Sequence, residues 1–573
     1  MKTSLFASEM RLLHEEAQYF AEAYPEHASK LNLKSLKDRD PYVERLLEGM
    51  AFLSAHVKAR IDVDIPEIAQ TYMQHLCPTL LQMLPSALIA QMNADENTDR
   101  APVWIAKGTA FVSQPIGPDK IECGFRTTTD FNYLPLSIIK VEHREKKVSE
   151  GGGSVLTLGF QWMSDVSLEK LSLDEIPVYI HADAEISFLL YQWLLSSVNT
   201  LSLNQKILGG QDMVQTCYLS TQETLLPSAK RGLDAFHLWL DYFACKDKYL
   251  FFKISGLKTI NWVTTVVEHR FSFEIDFKRL MPDLIEIKKH YFLLNCLPLV
   301  NLYKHQAEPL CISQAKFEYT VVPDVSLSEG IQIQTIDAVK SVLNHEKQFH
   351  YKAVYDADAK PDEKTFSVCK NIQTNGFSKY VISFCGNISH EGERISCSIT
   401  ANNGYYPREY IMENQLKGIS MEISKTLMVT NVTRPTAVWM CPFEKEALWL
   451  CISYLAMNVE TFSDVEALKK CLSLFDWTDR EENLKRREAI QAVKLKPVQY
   501  IKKGAYCRGI EYHITLNDKG FLNEGDQFLF GMVLHRFLSF FVGINYTVKT
   551  IVHRYPSHKS ICFDPIYGTQ CAL

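Results

Sequence analysis

The chain has 573 residues, 46% hydrophobic and 22% charged, enough apolar material for several cores and a prior of about three to four domains. Its 25 glycines and 22 prolines together make up under a tenth of the chain, which excludes collagen-like and low-complexity classes. A formal charge of -6, from 61 Lys and Arg against 67 Asp and Glu, disfavours general binding to nucleic acid or anionic lipid.

The opening MKTSLFASEM has no apolar core before the charged RLLHEE, so no signal peptide is expected and the chain reads as cytosolic. The apolar runs 186–198 and 292–303 are shorter than the roughly 20 residues of a spanning helix, so no transmembrane helix is expected. Fifteen cysteines without a CxxC pair predict reduced, mostly buried thiols and neither a zinc site nor a disulfide framework.

In chain order, the first ninety residues read as helix. Phe6, Met10, Leu13, Ala17, Phe20 and Tyr24 recur with gaps of three and four on one helix face, and Pro25 follows. Asp40 is placed to cap a second helix with Pro41 at its first position. Val43, Leu46, Leu47, Met50, Leu53, Val57 and Ile61 carry its stripe to Pro66. A third helix is expected over 67–76. Region 1–95 therefore reads as a long-helix, bundle-forming region whose stripes pack within the chain or supply half of an intermolecular bundle. Arg45 and Glu48, spaced i, i+3, suit a pair along the helix or across such a bundle.

From about residue 96 the period changes. Leu156, Leu158, Phe160 and Trp162 alternate with more polar neighbours after a GGGS turn, a half-buried strand signature. The runs 102–106, 178–182, 249–255 and 317–322 extend the β character, interrupted by helices at 183–198 and 233–243. Region 96–330 thus reads as mixed and mainly β, and 331–440, with strands at 380–385 and 394–400, as a further β-rich segment. Region 441–573 reads as an α/β domain: a helix over 444–457, a helix opened by a Ser463/Glu466 capping box, a helix over 526–542 and a strand over 546–553. The fold class is α+β and multidomain.

No motif for chemistry emerges. In HEKQFH (345–350) the histidines stand at i and i+5, about 140° apart around a helix, so no metal is expected. GxSxG, GxxxxGK[ST] and GxGxxG are absent, and no catalytic residue or cofactor is expected. Between Lys485 and Arg508 lie eight basic residues and one acid, starting with Lys485, Arg486 and Arg487. That stretch reads as a solvated face, as a contact for an acidic partner, or as a headgroup-binding loop. Two alternative functions follow: a cytosolic hydrolase with a site assembled from dispersed residues, and an adaptor that docks on membranes through 485–508.

DPYVERLLEGMAFLSAHVKARIDVDIPEIAQ (40–70) strongly resembles the N-terminal signature of TssF, the ImpG/VasA family of type VI secretion baseplate subunits. FAEAYPEHASKLNL (20–33), LCPTLLQMLPS (76–86), FRTTTDFNYLPL (125–136), LNCLPLVNLYKHQAEPL (294–310) and LFGMVLHRFLSFFVGINYTV (529–548) look like further family segments in family order. The segment 330–440 matches little and reads as a divergent insertion. The resemblance implies a phage-baseplate-wedge-like fold and a non-enzymatic structural role. Implied partners are TssG, TssE, TssK and a second TssF copy, around the VgrG spike hub beneath the Hcp tube and sheath. Implied too are a cytoplasmic location docked at the inner membrane, no nucleic-acid partner, and membrane contact only through the assembled machine. Phe20, Tyr24, Arg45, Leu47, Glu48, Leu53, Lys485, Arg486 and Arg487 are the candidate partner-binding residues.

Overall fold

A computed structural model describes residues 2–26, 41–76, 78–94, 101–147, 152–164, 173–227, 235–260, 262, 269–281, 286–313, 316–324, 330–343, 347–354, 356, 363–372, 378–386, 393–419, 427–442, 445–455, 459–502 and 505–569. In chain order its helices are α1 (Lys2–Ala23), α2 (Pro41–Leu76), α3 (Ala184–Ser196), α4 (Ala235–Ala244), α5 (Tyr406–Tyr410), α6 (Lys445–Leu455), α7 (Val465–Leu474), α8 (Glu481–Glu488) and α9 (Glu524–Ser539). The chain divides into two compact units, one comprising 1–76 with 443–453 and the other 77–442 with 454–573.

The first unit is built on α1 and α2. The break expected at Pro66 does not occur: α2 runs unbroken through it, about 54 Å at 1.5 Å per residue. A proline inside a helix removes one donor to the preceding turn, and a helix this long keeps the rest of its ladder. The two helices lie antiparallel. Ala17 and Ala21 pack on Val43, His14 Nε2 meets Glu44 Oε1 at 2.9 Å, and Ser54 Oγ donates to Glu9 Oε2 at 2.7 Å.

The second unit is β-rich. Among the described residues its strands form a closed six-stranded barrel, a five-stranded, a four-stranded and an eight-stranded sheet, a two-stranded pair and a five-stranded C-terminal sheet. In the barrel, Ala87–Ala94 pairs antiparallel with both Cys296–Val300 and Leu427–Asn431 around Leu88, Phe111, Phe125, Leu297 and Val429. Strand pairing thus crosses the boundary expected near residue 95, because barrel closure joins segments more than 300 residues apart. Strands expected at 380–385 and 394–400 belong to the eight-stranded sheet, as Ser378–Cys385 and Arg394–Asn402. The strand Ser154–Trp162 is buried at all but Thr157 and Gln161, so its alternation understates its burial.

The C-terminal half is organised by α4 and α9. Every residue of α4 is buried, and Trp239 stands 5.2 Å from Phe530 of α9 and 5.4 Å from Phe243, centroid to centroid. Phe236 stacks on Phe475 at 4.4 Å and contacts Phe537 and Phe541 edge-on, geometries that aromatic pairs prefer. The N-cap of α7 is Asp464, not Ser463: its carboxylate accepts from Glu466 N and Ala467 N, both at 3.3 Å. Ser463 ends a 3₁₀ turn and donates its hydroxyl to Glu460 O. Of the described cysteines, Cys123, Cys245, Cys296, Cys397, Cys451 and Cys471 are buried, whereas Cys311, Cys369, Cys385 and Cys562 are exposed. Burial pushes the Cys123 and Cys245 thiols up to about 12, where they behave as small hydrophobes.

Gly525, in the first turn of α9, lies so close to α3 that a Cβ there would collide with the carbonyl of Phe188. Both neighbouring groups are backbone and cannot turn aside. Gly525→Ala is expected to destabilise the fold by about 1–3 kcal/mol, the usual cost of overpacking, measured as a lower denaturation midpoint with unchanged slope.

Candidate functional site

In the helical unit Ala17, Ala21, Ala51 and Ala55 are buried together with Met73 and Leu448, while several large apolar side chains stay exposed. On α2, Val43, Glu44, Leu47, Ala51 and Ser54 follow the α1-facing stripe, and the buried positions along it are alanines, Ala51 and Ala55. Alanine permits close approach of two helices. A row of exposed large apolar side chains flanks that stripe: Tyr42 (85% exposed), Leu46 (66%), Met50 (53%) and Leu53 (65%) recur at i, i+4, i+8 and i+11. The sequence stripe of α2 is therefore two faces. Leu53, expected on a buried stripe, is open to solvent, and Leu47 is half-buried. On α1 likewise Ala17 and Ala21 are buried, while Phe20 and Tyr24, their rings tilted against each other at 5.3 Å, are exposed. Arg45 and Glu48 are both exposed on α2, and among the described residues neither has an ion-pair partner.

The basic stretch behaves differently from either expectation. Residues 485–488 end α8, and 490–517 form an antiparallel hairpin, Ile490–Lys502 with Ala505–Asn517. Arg486 is buried, not solvated. Its Nε donates to Asp526 Oδ2 at 2.9 Å, and its Nη2 lies 2.8 Å from the same oxygen. Arg487 Nε lies 3.5 Å from the buried Asp476 carboxylate, and Lys485 pairs at 2.8 Å with Glu481 on the helix surface. Arg486 is thus removed from the candidate contact residues, because a charge counted along the chain can be neutralised inside the fold. Lys494 and Lys496 remain exposed on the hairpin.

A cleft of about 890 Å³ in the β-rich unit gathers several charged side chains. Its charges are mostly engaged with one another or with backbone: Lys253 with Glu175 at 2.6 Å, Lys258 with Asp174 at 2.9 Å, and Glu223 in a capping box with Ser220. His535 is held at both nitrogens, by Thr550 Oγ1 and by Asp564 O, each at 3.0 Å, and burial lowers its pKa to about 4. Among the described residues no three His, Cys, Asp or Glu side chains converge to hold a metal ion, and no helix is long and apolar enough to cross a membrane. Of HEKQFH, residues 347–350 are strand, and His345 lies outside the described residues.

What the geometry presents is a multi-sheet protein whose most distinctive surface is an uncovered row of large apolar side chains, the mark of an assembly subunit. The family described as "Type VI secretion system, TssF" matches residues 3–570, and the chain belongs to that family. The Pseudomonas aeruginosa PAO1 protein "Type VI secretion system component TssF1" is 22% identical over 608 residues, covering 96% of this chain and 95% of its own. The fold resembles a chain of the cryo-electron-microscopy structure of a type VI secretion TssK-TssF-TssG baseplate subcomplex, with a TM-score of 0.79 and 24% identity. The match covers 92% of this chain and 99% of that one. A chain of "the baseplate complex from the type VI secretion system" is similar with a TM-score of 0.60 and 21% identity over all of both chains.

Two outcomes follow. Asp526→Asn leaves the buried Arg486 guanidinium with only the exposed Glu482 carboxylate at 3.5 Å and is expected to cost about 3–5 kcal/mol of stability. Lys485→Glu, on the surface, changes stability by less than about 1 kcal/mol, both read by chemical denaturation. The folded-state pKa of His535 lies below its unfolded value of 6.5, so the unfolded chain binds the extra proton between about pH 4 and 6.5. Stability is therefore full above that window and falls as pH drops through it, by up to about 3 kcal/mol. His535→Gln should flatten the difference in that window.

Proposed function

We propose that the chain is a non-enzymatic structural subunit of the type VI secretion baseplate wedge, and that the open face of α1 and α2 is its main protein-docking surface. The observation that carries this is the inverted hairpin: alanines at the seam and Tyr42, Leu46, Met50 and Leu53 in an uncovered row. A helix that packed only within its own chain would turn those side chains inward, since burying each is favourable by about 1.5–3 kcal/mol. Left bare, the row is a liability; covered by helices of another chain, it is a bundle seam.

Family membership supports the choice of partners. TssG and TssK are the first candidates, being present with TssF in the similar subcomplex; TssE, a second TssF copy, the VgrG hub and the Hcp tube and sheath base follow from the wedge reading. The location proposed is cytoplasmic, at the inner membrane within the assembled apparatus. In this reading Phe20, Tyr24, Arg45 and Glu48 rim the seam, with aromatic and charged groups around an apolar centre. Lys485 and Arg487 remain candidates for a peripheral contact.

Leu46→Asp and Leu53→Asp separate docking from folding. Both positions are exposed in the free chain, so circular dichroism and melting temperature should stay unchanged, while co-purification with TssG and TssK from the same secretion locus weakens at least about tenfold. Leu47→Asp, on the seam side, should instead lower the stability of the helical unit. Normal assembly by the Leu46 and Leu53 variants would refute the docking surface.

A further inference from the structure

A second cleft, of about 450 Å³, lies within the β-rich unit. It opens between Ala184 at the start of α3, the turn after α4, and three arginines from separate segments. Arg408 belongs to α5, Arg434 follows the barrel strand Leu427–Asn431, and Arg480 precedes α8. Arg408 Nη1 donates to Pro435 O and Arg434 Nη2 to Arg408 O, each at 2.9 Å, so the two guanidiniums are held in a reciprocal clasp. Carbonyl oxygens orient a guanidinium without neutralising it. Arg434 Nε is buried with no acceptor among the described residues. Arg480 lies over the Trp439 ring at 5.7 Å, and Lys519 stands at the rim. Among the described residues none of these four cations forms a close ion pair, although the charge of Arg480 is felt by Asp247 in the same lining. The lining carboxylates are Asp247 and Glu482, and Glu482 already faces Lys246 at 3.6 Å and Arg486 at 3.5 Å.

The cluster repels itself. Burial, then Arg434 and Arg480, pull the Arg408 pKa down, and burial with Arg486 beside it lowers Lys246 to about 8. In a chain of net charge -6, such a concentration of cations is not a by-product of composition. We propose that this cleft binds a small polyanion of phosphate chemistry, a di- or triphosphate group, with Arg408, Arg434 and Arg480 as its ligands.

Three features favour that chemistry. Guanidinium forks match phosphate oxygens bidentately, and here two of them are already fixed in direction by backbone carbonyls. Ala184, the first residue of α3, lines the same cleft, which brings the positive end of that helix dipole to it. The space suits a small ligand, whereas an acidic peptide would bring backbone N–H and C=O groups that also need partners.

The test is isothermal titration calorimetry of the full chain with sodium tripolyphosphate at low salt. One site is expected, with Arg434→Gln, and Arg408→Gln with Arg480→Gln, weakening it at least about tenfold, since each removes charge-assisted bonds. Lys494→Gln with Lys496→Gln, equally cationic positions on the C-terminal hairpin, should leave the affinity unchanged. ATP binding as tightly as tripolyphosphate indicates that the phosphate chain alone is read, and tighter binding that the ligand is a nucleotide; either supports the site. If Arg434→Gln does not fold, judged by circular dichroism, Arg480→Gln at the exposed rim decides. Absence of binding, an equal loss in the hairpin variant, or tetraglutamate binding as well as tripolyphosphate would each overturn the proposal. The assay uses no baseplate partner, so its outcome is independent of the docking surface on α2.

Discussion

The architecture of the C-terminal half depends on a single buried carboxylate. Asp526, fully inaccessible in the first turn of α9, accepts from the Arg486 side chain and from Leu522 N at 3.2 Å, and it lies at the positive end of the helix. A carboxylate cannot be buried without such neutralisation, so α8 must lie where its arginine reaches α9. The same turn is tied to α3 twice: Asn523 Nδ2 donates to Glu185 O at 2.8 Å, and Gly525 lets the backbones touch. With its start so fixed, α9 presents Phe530 and Phe537 to α4, and the aromatic core follows. A lysine in place of Arg486 would offer one compact charge where a fork with several donors is used.

Local pattern made much of the β-rich unit legible. The strands at 178–182, 249–255, 380–385 and 394–400 and the helices at 183–198 and 526–542 declared themselves through periodicity, because each is a contiguous run with one environment. Barrel closure did not, since Ala87–Ala94 meets Leu427–Asn431 only through the whole intervening fold. Nor did the fate of Arg486, whose partner is 40 residues away. The stripe on α2 was visible, but its sense was not. Pattern weighs side chains by hydrophobicity and so follows Leu46 and Leu53, whereas the seam is set by how closely two backbones approach, which selects Ala51 and Ala55. Ala51 and Ala55, two and three helical turns from Glu44, were the available signal.

That inversion separates the two units by the kind of surface they offer. The β-rich unit has a core of large aromatics, with Trp239, Tyr242, Phe243 and Phe251 inside and α4 wholly buried, although Trp104 and Phe317 stand exposed on it. The helical unit leaves a row of large apolar groups exposed, and alanines are the buried residues where α1 meets the first half of α2. A seam of alanines contributes less transfer free energy per residue than one of leucines would. An obligate assembly subunit can tolerate that arrangement, since its folded form is seldom without a partner.

The arginines divide by the same logic of neutralisation. Arg486 and Arg487 meet the buried carboxylates Asp526 and Asp476, and their charge is cancelled within the chain. Arg408 and Arg434 meet only carbonyl oxygens, which satisfy N–H groups and leave the net charge standing. A cation of the first kind holds a fold together, because removing either partner strands the other. A cation of the second kind raises the energy of the empty fold, and more so when Arg480 adds like charge to the same cleft. Three such residues, brought from segments spread over more than 70 positions, form no motif in the sequence and one field in the structure. Asp247 and Glu482 line the same cleft, but Glu482 faces Lys246 and Arg486, so the field of the arginines is offset only in part within the chain.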